Sequence, residues 1–251
     1  RPPLPDPPLH CRGGEGEDGR LNGMQVAQHA VWKRLPTTPL RSLEILADLQ
    51  AGGAILGATG PMQERHDIDA IAALIPARAR VLDLGCGDGE LLALLVRQKQ
   101  VQARGIELRE DNVRAAIGRG LSVRQGNIEE GLEDYSDNAF DCVILSQTLA
   151  YLDSPEKVVR EMLRVGRRAI VSFYSAGYWR SRLWALAGGS IEAALTSGAP
   201  RARTITIPQF VEFAQGIPAR VERSLFLANR RQVRTLPNFR AQIAVFVLIR
   251  A

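Results

Sequence analysis

A glycine-rich turn between a strand-like run and a helix-like run is the stretch whose residue types and spacing best suit chemistry. The apolar run Val81–Leu84 leads into the turn Gly85–Glu90, and the leucine-rich run Leu91–Leu95 follows it. Glycine lacks a Cβ, so three residues of the turn can adopt positive φ and bring backbone N–H groups close to a ligand: Gly85, Gly87 and Gly89. The N-terminus of the following helix adds a positive potential. The stretch therefore predicts a nucleotide-binding loop.

The identity of the nucleotide is constrained by the charges around this loop. Glu90 stands where the dinucleotide fingerprint requires a third small residue, which argues against NAD. A Walker A loop is excluded because no Gly-Lys-Ser/Thr follows, and the only lysines of the chain are Lys33, Lys99 and Lys157. Asp83 and Asp88 would repel a pyrophosphate but attract a ligand that carries ammonium and sulfonium charges. S-adenosylmethionine has both charges, and we expect it to be the cofactor.

Polar residues also end three further strand-like runs. Glu107 comes roughly twenty residues after the loop, where a carboxylate binds ribose hydroxyls, and Asn127 suits the edge of an adenine. Ser146 and Gln147 suit the methionine moiety or a partner. Ligands of open α/β sheets bind at the carboxyl ends of strands. The predicted cofactor-binding set is Asp83, Gly85, Cys86, Gly87, Asp88, Gly89, Glu107, Leu108, Asn127, Ile128, Ser146 and Gln147.

These features resemble the class I S-adenosylmethionine-dependent methyltransferases from about residue 66 to the C-terminus. The resemblance is closer still to the methionine biosynthesis protein MetW family, through residues 81–95, 126–132, 161–167, 236–239 and 243–245. It implies a Rossmann-like α/β fold, with a seven-stranded, mostly parallel sheet and helices on both faces. It also implies a role in methionine biosynthesis that supports a homoserine O-acyltransferase, beside which such chains are usually encoded. The methyl acceptor of the family is unclear.

Two segments depart from the MetW pattern. Asn127 stands where that family carries Asp, which keeps one hydrogen-bond acceptor of the two. After residues 179–182 the family usually has an aromatic and proline-rich stretch, whereas residues 185–207 here are small and polar and include Arg201 and Arg203. The segment expected to form the substrate or partner face is therefore the part of the sequence that differs most from the MetW pattern.

Composition limits the compartment and the class of partner. The chain has 251 residues, 45% of them hydrophobic, and a net charge of +5, of which residues 201–251 supply +7. This basic part could contact RNA, an acidic partner or only water, but it lacks the interleaved aromatics typical of nucleic-acid binding. The cysteines, Cys11, Cys86 and Cys142, form neither a disulfide framework nor a metal-ligand spacing. We expect a cytoplasmic protein with no metal site and no membrane contact.

The elements that must position the loop alternate between strand and helix patterns, which favours a parallel sheet. Residues 1–61 are expected to be a disordered or weakly structured extension, with a short helix at 40–50, and residues 62–251 a single methyltransferase-like domain. Ser154 is the expected N-cap of a helix that Pro155 opens. The predicted strands are 80–84, 103–107, 121–125, 140–147, 169–173, 220–227 and 242–249, and the predicted helices before Pro155 are 68–75, 91–98 and 111–119.

No residue is assigned to catalysis by the sequence. Methyl transfer depends largely on positioning and needs no dedicated nucleophile, and all three histidines, His10, His29 and His66, precede the loop. Asp141 and Tyr151 are the candidates for a general base, although both residue types more often serve structure. The aromatic residues Phe173, Tyr174, Tyr178, Trp179 and Trp184 indicate either a substrate lid or ordinary packing. Three functions remain open: an acyltransferase accessory protein, a small-molecule methyltransferase and an RNA methyltransferase.

Overall fold

The computed structural model describes residues 67–186 and 203–251, whose strands join in one eight-stranded sheet. The strands are β1 (Arg80–Leu84), β2 (Gln102–Glu107), β3 (Val123–Gln125), β4 (Phe140–Ser146), β5 (Gly166–Tyr174), β6 (Ala219–Ala228), β7 (Arg231–Gln232) and β8 (Ile243–Arg250). The helices are α1 (Ile68–Leu74), α2 (Glu90–Lys99), α3 (Glu110–Gly118), α4 (Pro155–Val165), α5 (Trp179–Leu186), α6 (Ile207–Gln215) and α7 (Pro237–Arg240), with a 3-10 turn at Leu149–Tyr151. The predicted extension, residues 1–61, lies outside the described residues.

The sheet has the order β3-β2-β1-β4-β5-β8-β6-β7. Strands β1 to β5 pair in parallel, while β8 lies antiparallel between β5 and β6. The predicted mostly parallel sheet is thereby confirmed. It differs from the prediction in having an eighth strand, the two-residue β7, which pairs only with the end of β6. Because the parallel strands share one direction, the loops after β1, β2, β3 and β4 meet at the same edge.

Helices cover both faces of the sheet, because alternate strand residues point to opposite sides. In β4, Val143 and Leu145 belong to the core cluster that includes buried residues of α4 and α6. Cys142 and Ile144 belong to the cluster that includes buried residues of α1 and α2. Phe210 of α6 packs on Phe246 of β8 with ring centroids 4.5 Å apart. Two buried apolar layers therefore hold the central strands in place.

Most element boundaries lie within two residues of those expected from the sequence. Strand β5 is the exception at its start, since it begins at Gly166 rather than at residue 169. Ser154 does occupy the N-cap position of α4, but its side chain makes no capping hydrogen bond within the described residues, so Pro155 at the first helical position carries the start signal. Among the described residues, none of the helices is long and apolar enough to cross a membrane.

Arg164 of α4 fastens the long connection between β3 and β4, which carries Asn127 and Ile128. Its guanidinium donates to the carbonyl oxygens of Leu132 (2.9 Å) and Tyr135 (2.9 Å). It also pairs with Glu161 at 2.8 Å and with Asp137 at 3.1 Å. The hydrogen bonds from Arg164 hold the pKa of Glu161 below its ordinary range. A connection without helix or strand of its own is thereby tied to a buried helix.

We expect Arg164→Met to lower the free energy of unfolding by about 2 to 3 kcal/mol, because carbonyl oxygens and a carboxylate lose a charged partner together. Arg160→Met is the matched control on the same helix, since Arg160 pairs with Glu156 across one exposed turn. That control should cost less than about 0.5 kcal/mol. Urea denaturation measures both values, and equal losses would show that Arg164 does not fasten the connection.

Candidate functional site

The glycine-rich loop leaves β1 with its backbone bonded to β2. The amides of Gly85 and Cys86 donate to the carbonyl oxygen of Ile106 at 2.8 Å and 3.2 Å. Gly87 (φ 57°) and Gly89 (φ 81°) both have left-handed backbones. A Cβ on Gly89 would lie 2.3 Å from Cδ1 of Leu121, whereas a Cβ on Gly87 would meet nothing within 4 Å. Gly89 therefore lets its neighbours behind the loop pack closely, and Gly87 leaves an open face toward the sheet edge.

Glu107, at the end of β2, holds this loop through its side chain. Its Oε2 accepts a hydrogen bond from the amide of Gly87 at 2.9 Å. Its Oε1 accepts from the amide of Arg109 at 3.0 Å and from Nδ2 of Asn112 at 3.3 Å. The residue is only 7% exposed. A carboxylate offers about four acceptor positions, so these three contacts leave capacity for a ligand hydroxyl beside the loop.

The two aspartates near the loop differ in their surroundings, since Asp83 is buried and Asp88 is paired with an arginine. Asp83 is only 2% exposed at the end of β1. Asp88 forms an ion pair with Arg119, and its Oδ1 accepts from the amide of Glu90. The charge of Asp88 is therefore compensated by an arginine. The attraction of a cationic ligand, which the sequence analysis assigned to both aspartates, depends on Asp83 and Glu107.

Cys86 contributes packing to this loop. Burial, with the negative charges of Asp83 and Glu107 added, raises the pKa of its thiol to about 12. A thiol with this pKa is protonated at neutral pH and is a poor nucleophile. Its Sγ occupies the space where a side chain at Gly105 would lie, since a Cβ there would be 2.6 Å away. A small residue in β2 thus lets the loop settle against the sheet.

The candidate adenine residues flank the ends of β2 and β3. Leu108 is 63% exposed, an unusual position for a large apolar side chain, and Ile128 is 8% exposed. Oδ1 of Asn127 accepts from the amide of Glu129 at 3.0 Å, within its own turn. The Nδ2 group of Asn127 is therefore the part of this side chain suited to a ligand. The roles of all three residues in binding adenine stay predictions.

A buried polar cluster at the ends of β4 and β5 was missed by the sequence analysis. The carboxylate of Asp67, which is 0% exposed, accepts through Oδ2 from Ser146 Oγ at 2.6 Å and from Ser172 Oγ at 2.8 Å. Nε2 of Gln147 also donates to this oxygen, at 3.2 Å. Ser146 and Gln147 thus belong to a cluster that ties the start of α1 to the sheet. The pairing of Ser146 with Ser172 in neighbouring strands is visible only once the register is known.

Thr148 connects this cluster with the glycine-rich loop. Its Oγ1 donates to the carbonyl oxygen of Ser146 at 3.0 Å. A Cβ on Gly85 would lie 2.7 Å from the same Oγ1, so the side chain of Thr148 packs directly against the backbone of Gly85. The sequence offered no signal for Thr148. The segment after β4 therefore shares a contact surface with the loop after β1.

The two candidate general bases, Asp141 and Tyr151, lie at opposite edges of the sheet. Asp141 lies at the start of β4, at the edge opposite the loop, so the interpretation of Asp141 as a base is wrong. It pairs with Arg80 at 3.0 Å, and hydrogen bonds from Arg80 hold its pKa below the ordinary range. Tyr151 is 51% exposed on the turn after β4, at the loop edge, and stays a candidate. Within the described residues no cluster of side chains suits a metal ion.

The aromatic residues at the end of β5 and directly after it were interpreted above either as a substrate lid or as ordinary packing. Phe173 is 2% exposed and packs between Phe210 and Phe246, so it serves the core. Tyr174 is 38% exposed. The hydroxyl oxygen of Tyr178 accepts from Nε2 of Gln242 at 3.4 Å. Trp179 begins α5, and the side chain of Trp184 lies outside the described residues.

The comparisons with known proteins agree with this geometry. The model of the methionine biosynthesis protein MetW family matches residues 65–248. The chain belongs to the MetW family. The fold is similar to that in the crystal structure of a TehB-like S-adenosylmethionine-dependent methyltransferase from Corynebacterium glutamicum, with a TM-score of 0.54 at 16% sequence identity. The match covers 83% of this chain and 96% of that one. The predicted Rossmann-like class I methyltransferase fold is confirmed.

Two curated relatives match shorter parts of this MetW chain. The bifunctional methionine biosynthesis protein MetXA/MetW of Rhodopirellula baltica is 37% identical over 124 residues, which are 46% of this chain and 20% of that protein. Ajmaline N-methyltransferase of Rauvolfia serpentina is 32% identical over 93 residues, which are 34% of this chain and 31% of that enzyme. The chain thus spans between a fifth and a third of the length of these relatives.

The two loop glycines should respond differently to an added methyl group. We expect Gly89→Ala to lower the free energy of unfolding by about 2 to 4 kcal/mol, since left-handed strain adds to a clash with Leu121. Gly87→Ala, the matched control, meets open space and should cost only the strain, about 1 to 2 kcal/mol. Denaturant unfolding of both variants gives the comparison. A larger loss for Gly87→Ala would contradict the placement of the two residues.

Proposed function

We propose that this MetW-family chain binds S-adenosylmethionine at the carboxyl edge of its sheet, over the glycine-rich loop. The observation that carries the proposal is the buried Glu107 carboxylate, which holds the amide of Gly87 and retains acceptor capacity beside it. A ribose hydroxyl would donate to the remaining acceptor position of this carboxylate, while the open face of Gly87 admits the ligand. Asp83 supplies negative charge for the ammonium group, and the exposed side chain of Leu108 offers an apolar surface to adenine.

Removal of the Glu107 side chain should therefore weaken the binding of S-adenosylmethionine. We expect Glu107→Ala to raise the dissociation constant at least tenfold in isothermal titration calorimetry, because charged hydrogen-bond acceptors of the ribose are lost. Glu110→Ala is the matched control, since Glu110 is exposed and pairs with Arg114 one turn later. Circular dichroism checks that both variants are folded. Unchanged affinity in folded Glu107→Ala would refute the ribose assignment.

The proposed biological role is support of a homoserine O-acyltransferase in methionine biosynthesis. Membership of the MetW family supports a place in that biosynthesis. The relative from Rhodopirellula baltica bears a name that joins MetXA with MetW, which supports a physical association between an acyltransferase and a chain of this kind. Asp141 lies away from the loop, so Tyr151 is the candidate base that stays at the loop edge in the described part of the chain. A chain that binds the cofactor and acts on a partner would need no such base.

Co-expression with the homoserine O-acyltransferase of the same genome tests this role. We expect the two proteins to co-purify, and the acyltransferase to turn over faster in the complex than alone. Equal rates with and without the chain, together with separate elution of the two proteins, would refute the accessory role. Cofactor binding by the chain alone would be unaffected by that outcome, so the two parts of the proposal are tested separately.

A free-standing small-molecule methyltransferase is the second candidate function. A cavity of about 400 Å³ lies beside the turn after β4, within the range that suits a small ligand. Its lining combines apolar residues, among them Leu149, Ile205 and Phe210, with the polar residues Arg203, Thr204, Gln209 and Glu212. The relative named ajmaline N-methyltransferase supports such an activity. In the co-expression experiment, an acyltransferase that is indifferent to the chain would favour this candidate.

A cytoplasmic location is part of the same proposal. Cys86 and Cys142 are free thiols in the described part of the chain, and both are buried. Burial raises the pKa of Cys142 to about 11, so this thiol is protonated as well. Free thiols are usual in proteins of a reducing compartment.

A further inference from the structure

Acidic and basic residues are segregated along the edge of the sheet that carries the glycine-rich loop. The loops that follow β1 to β4, together with the first residues of α2 and α3, carry acids, namely Asp88, Glu90, Glu110, Glu129, Glu130 and Asp153. The segments that follow β5 and β6, residues 175–186 and 228–242, contain no acid and six arginines. Charge of one sign spread over a surface attracts partners of the opposite sign and orients their approach. One half of this edge therefore suits a different partner from the other.

The two arginine-bearing segments touch each other. Gly177, between β5 and α5, packs against Asn238 of α7 so closely that a Cβ on the glycine would lie 2.1 Å from Oδ1 of the asparagine. Tyr178 and Gln242 share the hydrogen bond described above. Because β6 runs antiparallel to β8, and β8 antiparallel to β5, the hairpin after β6 returns to the edge where β5 ends. Their arginines therefore belong to one continuous region of the surface.

Five arginines of these segments are exposed, namely Arg182, Arg230, Arg231, Arg234 and Arg240. We call four of them, Arg182, Arg231, Arg234 and Arg240, the arginine surface. Arg240 donates to Oγ1 of Thr235 at 2.9 Å. In the described part of the chain, none of the four is in an ion pair with an acidic side chain. The region contains no lysine. Arginine is enriched and lysine depleted at protein interfaces, because the guanidinium fork pairs with carboxylates in two places.

The hairpin that carries Arg231 has a strained backbone. Asn229 (φ 46°) and Arg230 (φ 63°) form its two-residue turn, and both are left-handed. Such a turn favours glycine at its second position, where an arginine costs about 1 to 2 kcal/mol. Leu236, directly before Pro237, is left-handed as well (φ 49°). Strain of this kind is concentrated at functional segments.

We propose that the arginine surface is the docking site for an acidic face of a protein partner. This inference rests on the proposed function, which makes the homoserine O-acyltransferase that partner. Between β1 and β6 lie β4, β5 and β8, so at about 4.8 Å per strand the hairpin after β6, which carries Arg231, is roughly 19 Å from the loop along the sheet. A protein docked there leaves the glycine-rich loop uncovered. Partner and cofactor therefore bind at the same edge without competing.

Two double variants of equal charge change test the docking site. Arg231→Glu with Arg234→Glu reverses two charges on the arginine surface. Arg78→Glu with Arg167→Glu reverses two exposed charges at the opposite edge of the sheet, since Arg78 precedes β1 and Arg167 is the second residue of β5. Each full-length variant and the wild type are passed over immobilised acyltransferase of the same genome in a surface plasmon resonance experiment, at low and high salt. Titration with S-adenosylmethionine checks that the variants keep the wild-type site.

We expect the wild type to bind and to lose affinity as salt is added, because the attraction is electrostatic. The Arg231/Arg234 variant should bind at least tenfold more weakly, with unchanged affinity for S-adenosylmethionine, and the Arg78/Arg167 variant should stay within about twofold of the wild type. Equal binding by both variants would overturn the docking site and leave the accessory role standing. A wild-type protein that does not bind the acyltransferase would overturn both the docking site and the accessory role. Arginine-dependent binding of a single-stranded RNA oligonucleotide in its place would assign the surface to nucleic acid.

Discussion

The hydrogen bond from the amide of Gly87 to the buried carboxylate of Glu107 joins the loop after β1 to the end of β2, where the amides of Gly85 and Cys86 also bond to the carbonyl oxygen of Ile106. It fixes the glycine-rich loop after β1 against the end of β2. The same carboxylate accepts from the amide of Arg109, at the residue before α3 begins. One side chain thus sets the relative positions of the loop, the end of β2 and the start of α3. The geometry of the candidate cofactor site depends on this contact.

Close packing of neighbouring side chains also holds the glycine-rich loop in place. Gly89 lets Leu121 approach from behind, and Gly105 makes room for the sulfur of Cys86 below. Thr148 lies against Gly85 on the β4 side. The loop is therefore confined by neighbours on three sides and is open at Gly87. A loop confined in this way binds its ligand at a smaller cost in conformational entropy than a mobile one.

The distribution of charge separates two kinds of binding along one edge. Near the loop, Asp83 and Glu107 are buried and negative, which suits a small cationic ligand held at short range. On the far side of β5, arginines are exposed and spread over two segments, which suits a large partner held through many weak contacts. The proposed accessory role would use both kinds of surface. The fold supplies them because the parallel strands and the returning hairpin all end at the same edge.

The sequence by itself determined the alternation of strands and helices, the glycine-rich loop and the resemblance to the MetW family, because local periodicity and short motifs carry that information. Only the tertiary structure decided which polar residues meet. Asp67 bonds to Ser172 across 105 positions of the chain, and Asp141 pairs with Arg80 at the edge away from the loop. It also showed that Asp88 is paired with Arg119, and that the segments after β5 and β6 touch at Gly177 and Asn238. Such contacts depend on strand order and register, which the pattern of one strand does not contain.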